Sequence, residues 1–401
     1  MSSDTVIAAE GAVPAAVRRP LWPRIRRAIF WTHLAAGCSA GVVIFMMSVT
    51  GVLLTYERQI MASLEAASWA EHPADAERMT VEALLESVRG EDFRPAQVVV
   101  RSDPAAPVQI SAGRRNRVEL DAVTGAEVPP GAPAVDEFFT TLMRIHRWFA
   151  LEGDARDTGK AITGAANLAF LFILLSGLVI WLPPVWKRAF LLAQIRFSRR
   201  YPTAKARDYN WHHVIGIWSL VPLVFIVASA TVFNYGWASE VLYGIAGAKP
   251  RAEAETDAPA ATPLAGALDT DALLTAASAA AGDWERLTLT LPETGAESVE
   301  LIVDRGNGAQ VQHQTVMTVD RRSGAVLSEV QRYGDDPGRY ARFVNRFLHT
   351  GEIYGIPGQT IAGLVSLGGA LLVWTGLALA WRRLIAQPMR RRAAAARRVA
   401  G

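Results

Sequence analysis

The segment HLAAGCSAGVVIFMMSVTGVLLTY, residues 33–56, joins a histidine to 23 consecutive residues without charge. Such a run exceeds the about 20 residues that a helix needs to cross the hydrocarbon core of a bilayer. Three further runs, residues 161–186, 214–239 and 353–381, also lack Asp, Glu, Lys and Arg and are longer still. The sequence therefore predicts an α-helical integral membrane protein with four transmembrane helices.

The charged residues predict how these helices are oriented. The N-terminal arm, the loop 187–210 and the tail 382–401 together hold 19 Lys and Arg against three acids, whereas the two long connections hold 35 acids against 22 basic residues. By the positive-inside rule, both termini of this multi-pass protein are expected in the cytoplasm. The basic segments lie beside the lipid bilayer, where they meet anionic lipid, so we expect no nucleic-acid partner.

Four of the seven histidines lie beside the ends of the apolar runs. His33 and His212 each stand four residues before a glycine, and His146 and His349 each follow an amphipathic stretch that contains arginine. An imidazole in or beside a bilayer is costly unless it has a partner. Neutral imidazole is an axial ligand of haem iron. We therefore interpret these four histidines as haem ligands.

The predicted topology determines which histidines can meet. His33 and His212 lie at the cytoplasmic ends of their helices, and His146 and His349 at the opposite ends. A helix of 23 residues is about 35 Å long, so ligands at opposite ends cannot share one iron. The sequence thus predicts two bis-histidine haems, one held by His33 and His212 and the other by His146 and His349. His213 is an alternative to His212, which is favoured because it matches His33.

Four arginines flank the outer histidine pair at helical spacing. They suit either haem propionates or an anionic iron chelate, because a guanidinium makes charge-assisted hydrogen bonds to such groups. Ordinary interfacial arginines are an equal alternative for each of them. The four are Arg144, Arg147, Arg342 and Arg346.

The two long connections predict small α+β domains at residues 57–135 and 240–336. Each contains one amphipathic helix, at 79–88 or 270–281, and three short strands with alternating apolar residues. Each then has a D-x-x-[ST]-G turn, whose glycine permits a positive φ. The predicted strands are 96–101, 108–112 and 117–121 in the first domain, and 285–291, 298–304 and 311–319 in the second.

The remaining segments complete a repeated order of helix, external domain and helix. Residues 249–266 are rich in alanine, proline and acids and predict a mobile linker. In addition, Ser176-Gly177-Leu178 matches Thr375-Gly376-Leu377, and small residues of this kind let helices, or a flat cofactor, approach closely. The predicted segments are the cytoplasmic arm 1–23, transmembrane helices 24–56, 161–186, 211–239 and 353–381, the interfacial segments 136–160 and 337–352, the basic loop 187–210 and the tail 382–401.

This ordered set resembles the PepSY-associated transmembrane helix family of iron-regulated bacterial inner-membrane proteins, over about residues 24–383. Within that family the chain is most similar to the FoxB-type ferrisiderophore reductases. The family's LHR-type signature is kept at Ile145-His146-Arg147, whereas Leu34, His213 and Thr350 follow the other three histidines. The resemblance implies two periplasmic PepSY-like domains, two b-type haems among the four helices, and reduction of a ferric siderophore or iron chelate in the periplasm.

A bis-histidine iron has no free position, so such haems are expected to transfer electrons. The chain has no G-x-G-x-x-G between a strand and a helix, and the donor is therefore expected to be a separate cytoplasmic protein, a reduced cofactor or a quinol. Two alternatives remain open: a non-catalytic membrane-anchored binding or regulatory module, and a metal or proton transporter. The histidines lie at the membrane edges, whereas transporter sites lie near the midplane.

Overall fold

The computed structural model describes residues 21–73, 75–90, 93–113, 116–183, 187–249, 264–292 and 295–400. Within them, four helical segments are long and apolar enough to cross a membrane, so the prediction of a helical membrane protein is confirmed. Residues 1–20 of the predicted arm and 250–263 of the predicted linker lie outside the described residues. The helices are α1 (Leu21–Leu53), α2 (Glu57–Ala66), α3 (Val81–Val88), α4 (Pro133–Trp148), α5 (Arg156–Trp181), α6 (Arg188–Ile195), α7 (Ala204–Asn234), α8 (Gly236–Ile245), α9 (Thr270–Ala281), α10 (Pro337–Thr350), α11 (Gly355–Trp381) and α12 (Gln387–Ala400).

The four long helices α1, α5, α7 and α11 form a bundle. Helix α1 packs against α5 and α11, and α7 packs against the same two helices, so α1 and α7 lie on a diagonal. Leu174, Leu223 and Leu372 meet in the apolar interior, whereas Trp218 and Trp374 are more than 60% exposed on its outside. A helix that is apolar all round suits a lipid environment, because hydrocarbon covers the outward side chains.

The amphipathic helices α4 and α10 cap one end of the bundle. Helix α4 packs against α1 and α5, and α10 packs against α7 and α8. Each is held to the next long helix by a close backbone approach: a Cβ at Gly159 would clash with the Trp148 carbonyl, and one at Gly358 with the Gly351 carbonyl. The two glycines therefore allow α4 and α10 to dock tightly where their last turns carry His146 and His349.

A seven-stranded antiparallel sheet is attached to the same end of the bundle. Its order is β3-β2-β1-β4-β5-β6-β7, and β1 pairs with β4 from Gln97↔Thr290 to Arg101↔Arg286. The two regions that we expected to be separate domains thus share one continuous sheet. The strands are β1 (Gln97–Arg101), β2 (Val108–Ala112), β3 (Asn116–Leu120), β4 (Arg286–Thr290), β5 (Ser298–Asp304), β6 (Gln314–Asp320) and β7 (Val326–Gln331).

One face of this sheet is covered by α3 and α9. Leu84 from α3 and Ala277 from α9 are fully buried in the same core as Ile110, Leu287 and Leu301 from the strands. Residues 311–313 form a single 3-10 turn, so β6 begins at Gln314 rather than at the predicted residue 311. One apolar core thus joins both halves of the sheet domain.

The two D-x-x-[ST]-G turns form as predicted locally but continue differently. Gly125 and Gly324 adopt φ of +69° and +72°, which favours glycine. The second turn connects β6 to β7, whereas the chain after Gly125 makes an isolated bridge between Leu120 and Glu127.

The first turn contains an additional hydrogen bond from a histidine. The Nε2 of His72 donates to Asp121 over 2.7 Å, and the main-chain N–H groups of Val123 and Thr124 donate to the same carboxylate. Burial raises the pKa of Asp121, but the hydrogen bonds from His72 and the turn outweigh it and lower the pKa to about 2. Asp320, the equivalent residue of the second turn, accepts hydrogen bonds from its own turn.

We expect Asp121→Ala to destabilise the sheet domain by about 2 kcal/mol at neutral pH, following the conversion of pKa shift into free energy. Because the folded-state pKa is lowered, this stability is present above the unfolded-state pKa of about 3.9 and is lost as pH falls through about 2. Thermal unfolding of the detergent-solubilised protein at several pH values measures the effect. Asp320→Ala is the matched control and should lower the free energy of unfolding by less. If the difference in stability between wild type and Asp121→Ala stays constant down to about pH 2, the assignment is contradicted.

Candidate functional site

The four predicted histidine ligands lie inside the bundle at two levels. His146 on α4 and His349 on α10 form the sheet-end pair, with ring centroids 6.5 Å apart and planes inclined by 63°. His33 on α1 and His212 on α7 lie farther along the bundle, toward the chain termini, and are called the terminal-end pair. Because α1 and α7 are diagonal in the bundle, the terminal-end pair projects from opposite sides of its centre.

Each of the four rings is held by a hydroxyl on a neighbouring helix. The partner always lies in a different long helix from the histidine, and the same arrangement occurs in both halves of the chain. The Nδ1 atoms of His33, His146, His212 and His349 lie 2.9, 2.9, 3.0 and 3.1 Å from the hydroxyl oxygens of Ser176, Thr50, Thr375 and Ser229, respectively.

These hydroxyls fix the hydrogen-bond direction. A hydroxyl has one proton, and each of the four donates it to a carbonyl of its own helix; Thr50, for example, bonds to Met46. The oxygen must then accept from the histidine, so Nδ1 carries the proton. For His349 a second contact requires the same tautomer, because Nδ1 lies 2.9 Å from the Ile226 carbonyl, which can only accept. In a neutral ring with its proton on Nδ1, Nε2 is the unprotonated nitrogen.

A small residue follows each hydroxyl and makes room for the ring. A Cβ placed on Gly177, Gly51 or Gly376 would lie 3.4, 3.5 or 3.3 Å from the Cε1 atom of the neighbouring histidine. The fourth hydroxyl, Ser229, is followed by Ala230. A Cβ at these positions would be in van der Waals contact with the imidazole, so the small residues let the ring lie close to the helix that carries the hydroxyl.

The glycines that follow His33 and His212 in sequence do not contact the rings. A Cβ on Gly37 would meet no atom within 4 Å, and one on Gly216 would meet Leu372 at 3.6 Å.

Sequence reasoning singled out Ser176 and Thr375 only as matched neighbours of glycine, and it missed Thr50 and Ser229. The signal was present in the sequence spacing, because the interval from His33 to Thr50 equals the interval from His212 to Ser229. A search for hydroxyls at matched positions of the two halves would therefore have found both residues.

His213 points differently from His212. Its Nδ1 donates to the Tyr209 carbonyl of its own helix over 2.9 Å, and its ring lies 4.0 Å from the Tyr209 ring. The His212 ring instead reaches Thr375 and Gly376 on α11. His212, and not His213, therefore points toward α11.

The four candidate arginines lie on the exposed surface around the sheet-end pair. Arg144 is bonded to Glu152 over 2.8 Å, Arg147 lies over Trp148 and Arg346 over Phe347. Burial lowers the pKa of Arg147, and the positive charges of Arg156 and Arg346 lower it further. Arg342 is exposed one helical turn before Arg346.

No group of three or more His, Cys, Asp or Glu side chains suited to a bare metal ion occurs in the part of the chain that the structure describes. Two imidazoles supply only the axial ligands of an iron whose other four ligands come from a porphyrin. The donor set at each level is therefore the set that a bis-histidine haem requires.

Comparison with known protein families gives a match over most of the chain. A family model described as a PepSY-associated TM region covers residues 30–383. No curated protein matches the sequence.

Proposed function

This chain belongs to the PepSY-associated TM family, and from that membership and the two histidine pairs we propose that it is a di-haem electron-transfer protein of the bacterial inner membrane. It carries electrons from the cytoplasmic side to a ferric siderophore or iron chelate in the periplasm, for iron uptake. It is thus an oxidoreductase, and the FoxB-type ferrisiderophore reductases are the model for its activity.

The observation that carries the proposal is the 6.5 Å separation of the His146 and His349 rings. Imidazole binds metals at about 2.0–2.1 Å, as in zinc sites, and two such bonds plus half a ring on each side span about 6 Å. Both Nδ1 atoms are engaged by hydroxyls, which leaves the Nε2 atoms for an iron between them. The separation of the two rings is thus the one that bis-histidine ligation requires.

The terminal-end pair is too far from the sheet-end pair to bind the same haem, and it supports a second one. On α1, Thr50 contacts His146 at the sheet end, whereas His33 lies well before Thr50 in the same helix. On α7, Ser229 contacts His349, and His212 lies at the same interval before it as His33 lies before Thr50. This interval corresponds to about 26 Å of helix. Bound haem would supply a one-electron Fe(III)/Fe(II) couple at each level.

The surface charges agree with the proposed orientation in the membrane. The end of the bundle that carries the start of α1 and the arginine-rich α12 is basic, and the positive-inside rule assigns it to the cytoplasm. At the opposite end, the exposed side chains of Arg147 and Arg346 offer positive charge to an anionic iron chelate. Reduction labilises the iron, because Fe(II) binds hard oxygen ligands less tightly than Fe(III).

The visible spectrum of the detergent-purified protein tests the proposal. We expect low-spin bis-histidine bands in the oxidised and dithionite-reduced states, and two b-type haems per chain in a pyridine haemochrome assay. A colourless protein from cells able to supply haem would refute the proposal, and it would favour a regulatory or transport role for the same fold. Ferric siderophores and ferric citrate are then the acceptors to test in reconstituted vesicles.

A further inference from the structure

The hydroxyls of Thr50, Ser176, Ser229 and Thr375 form one recurring device. We propose that these four are positioning residues for iron ligation: each accepts the Nδ1–H of one histidine and directs the Nε2 lone pair of that ring toward the iron position. This inference rests on the proposed function, because the four residues act through the histidine ligands and do not touch the iron themselves.

The first argument is burial. All four hydroxyl residues are buried within long apolar helices, where an unpaired polar group is costly. Their own protons bond to carbonyls of the same helix, three or four residues earlier. Such a bond satisfies the hydroxyl proton by itself and does not require a histidine. The additional approach of an imidazole to all four oxygens, at 2.9–3.1 Å, is therefore a specific use of the remaining lone pair.

The second argument is the tautomer. A neutral imidazole carries its proton on either nitrogen, and only the unprotonated nitrogen binds a metal. If Nε2 carried the proton, the ring would present an N–H to the iron position. Each hydroxyl stabilises the Nδ1–H form, so the protein holds all four rings ready for ligation before haem binds.

The third argument concerns ligand strength. A hydrogen bond that accepts the Nδ1 proton of a ligating histidine makes its other nitrogen more basic. A more basic ligand stabilises Fe(III) relative to Fe(II). Removal of the acceptor should therefore raise the midpoint potential of the affected haem and weaken haem retention by about 10- to 100-fold, the usual effect of losing such a partner.

The four positions should not respond equally. At His349 the Ile226 carbonyl accepts from the same Nδ1 over 2.9 Å, closer than Ser229 at 3.1 Å. Ser229→Ala therefore leaves a good acceptor in place and should have the smallest effect. At His146 and His212 the carbonyls of Met47 and Leu372 also approach the ring. The Nδ1 atoms are hydrogen bonded to Thr50 and Thr375 over 2.9 and 3.0 Å, so these two histidines should depend more on their hydroxyls than His349 does.

The test compares Thr50→Val and Thr375→Val, which remove the hydroxyl and keep the side-chain shape. Thr32→Val is the matched control, because Thr32 neighbours His33 and bonds only to carbonyls of its own helix. Haem per chain, redox titration and low-spin electron paramagnetic resonance are measured for each. We expect Thr50→Val to alter only the sheet-end haem and Thr375→Val only the terminal-end haem, with Thr50→Ser and Thr375→Ser restoring wild-type behaviour.

The outcomes separate this inference from the proposed function. If wild type holds two haems and both valine variants match wild type and Thr32→Val in potential and resonance spectrum, the positioning role is wrong and the electron-transfer function stands. If wild type binds no haem, both are overturned. A shift that serine does not rescue would also overturn the inference, since it would show that packing and not the hydroxyl is responsible.

Discussion

Replacement of His146 or His349 by alanine is expected to remove one of the two proposed haems and to abolish the proposed reduction of an external ferric chelate. The centroids of the two rings lie 6.5 Å apart, and both rings are proposed to bind one iron, so either substitution leaves a single axial ligand. Loss of a ligand should lower haem affinity by more than the about 10- to 100-fold that is typical when a ligand loses its hydrogen-bond partner. We expect haem per chain to fall from two to one. Reduction of an external chelate by vesicles that contain an electron donor should fall by more than about 100-fold.

The control for these variants is His313→Ala. His313 is exposed in a turn before β6, so its loss should leave both haems and the reductase activity unchanged. The remaining haem of His146→Ala should still be reduced by dithionite, because the terminal-end pair is intact. Retention of two haems by His146→Ala or His349→Ala would show that the pairing is wrong.

The membrane-spanning part of this fold could be predicted because its signal, a long run of uncharged residues, lies within one continuous stretch of sequence. Charge-free runs longer than a bilayer is thick have few other interpretations, and the observed α11 at Gly355–Trp381 nearly coincides with its run. The histidine positions relative to the ends of these runs then place His33 and His212 at one level. The level of each side chain along a bundle follows from sequence alone, because a helix rises by a fixed distance per residue.

The joined sheet could not be predicted from the same information. Each connection has its own helix and strands. Two membrane helices, α5 and α7, separate β1 from β4 along the chain, and nothing in the sequence pattern of either strand indicates that it pairs with the other. The physical reason for pairing is that β1 and β4 would otherwise each expose an unpaired strand edge. Pairing the two edges satisfies the backbone N–H and C=O groups of both strands. This pairing depends on how the chain folds and not on the local sequence of either strand.

The hydroxyl partners were missed for a different reason. A serine or threonine in an apolar helix usually bonds to its own backbone, so Thr50 and Ser229 carry no individual signal. Their significance arises when α1 meets α4 and α7 meets α10, which brings each hydroxyl to a ring from another segment. The matched spacing from His33 and His212 could have indicated them, but only to a reader who already suspected that hydroxyls hold the rings.

The neighbouring histidines of α7 allow the sharpest test of the terminal-end site. His212→Ala is expected to lose the terminal-end haem, because its ring extends to Thr375 and Gly376 on α11. His213→Ala should retain both haems, since the His213 ring stacks near Tyr209 and its Nδ1 bonds to that residue's carbonyl. Adjacent residues project about 100° apart on a helix, so one substitution cannot mimic the other through a small shift.

The functional consequence of His212→Ala differs from that of the sheet-end variants. The sheet-end haem should remain bound and reducible by dithionite, yet it should no longer receive electrons from a donor at the basic end of the bundle. His33→Ala should give the same result, because the two residues are proposed to share one iron. Haem content, together with donor-driven and dithionite-driven reduction in sealed vesicles, measures all three variants. A His213→Ala protein with one haem, beside a His212→Ala protein with two, would reverse the assignment of the ligand within α7.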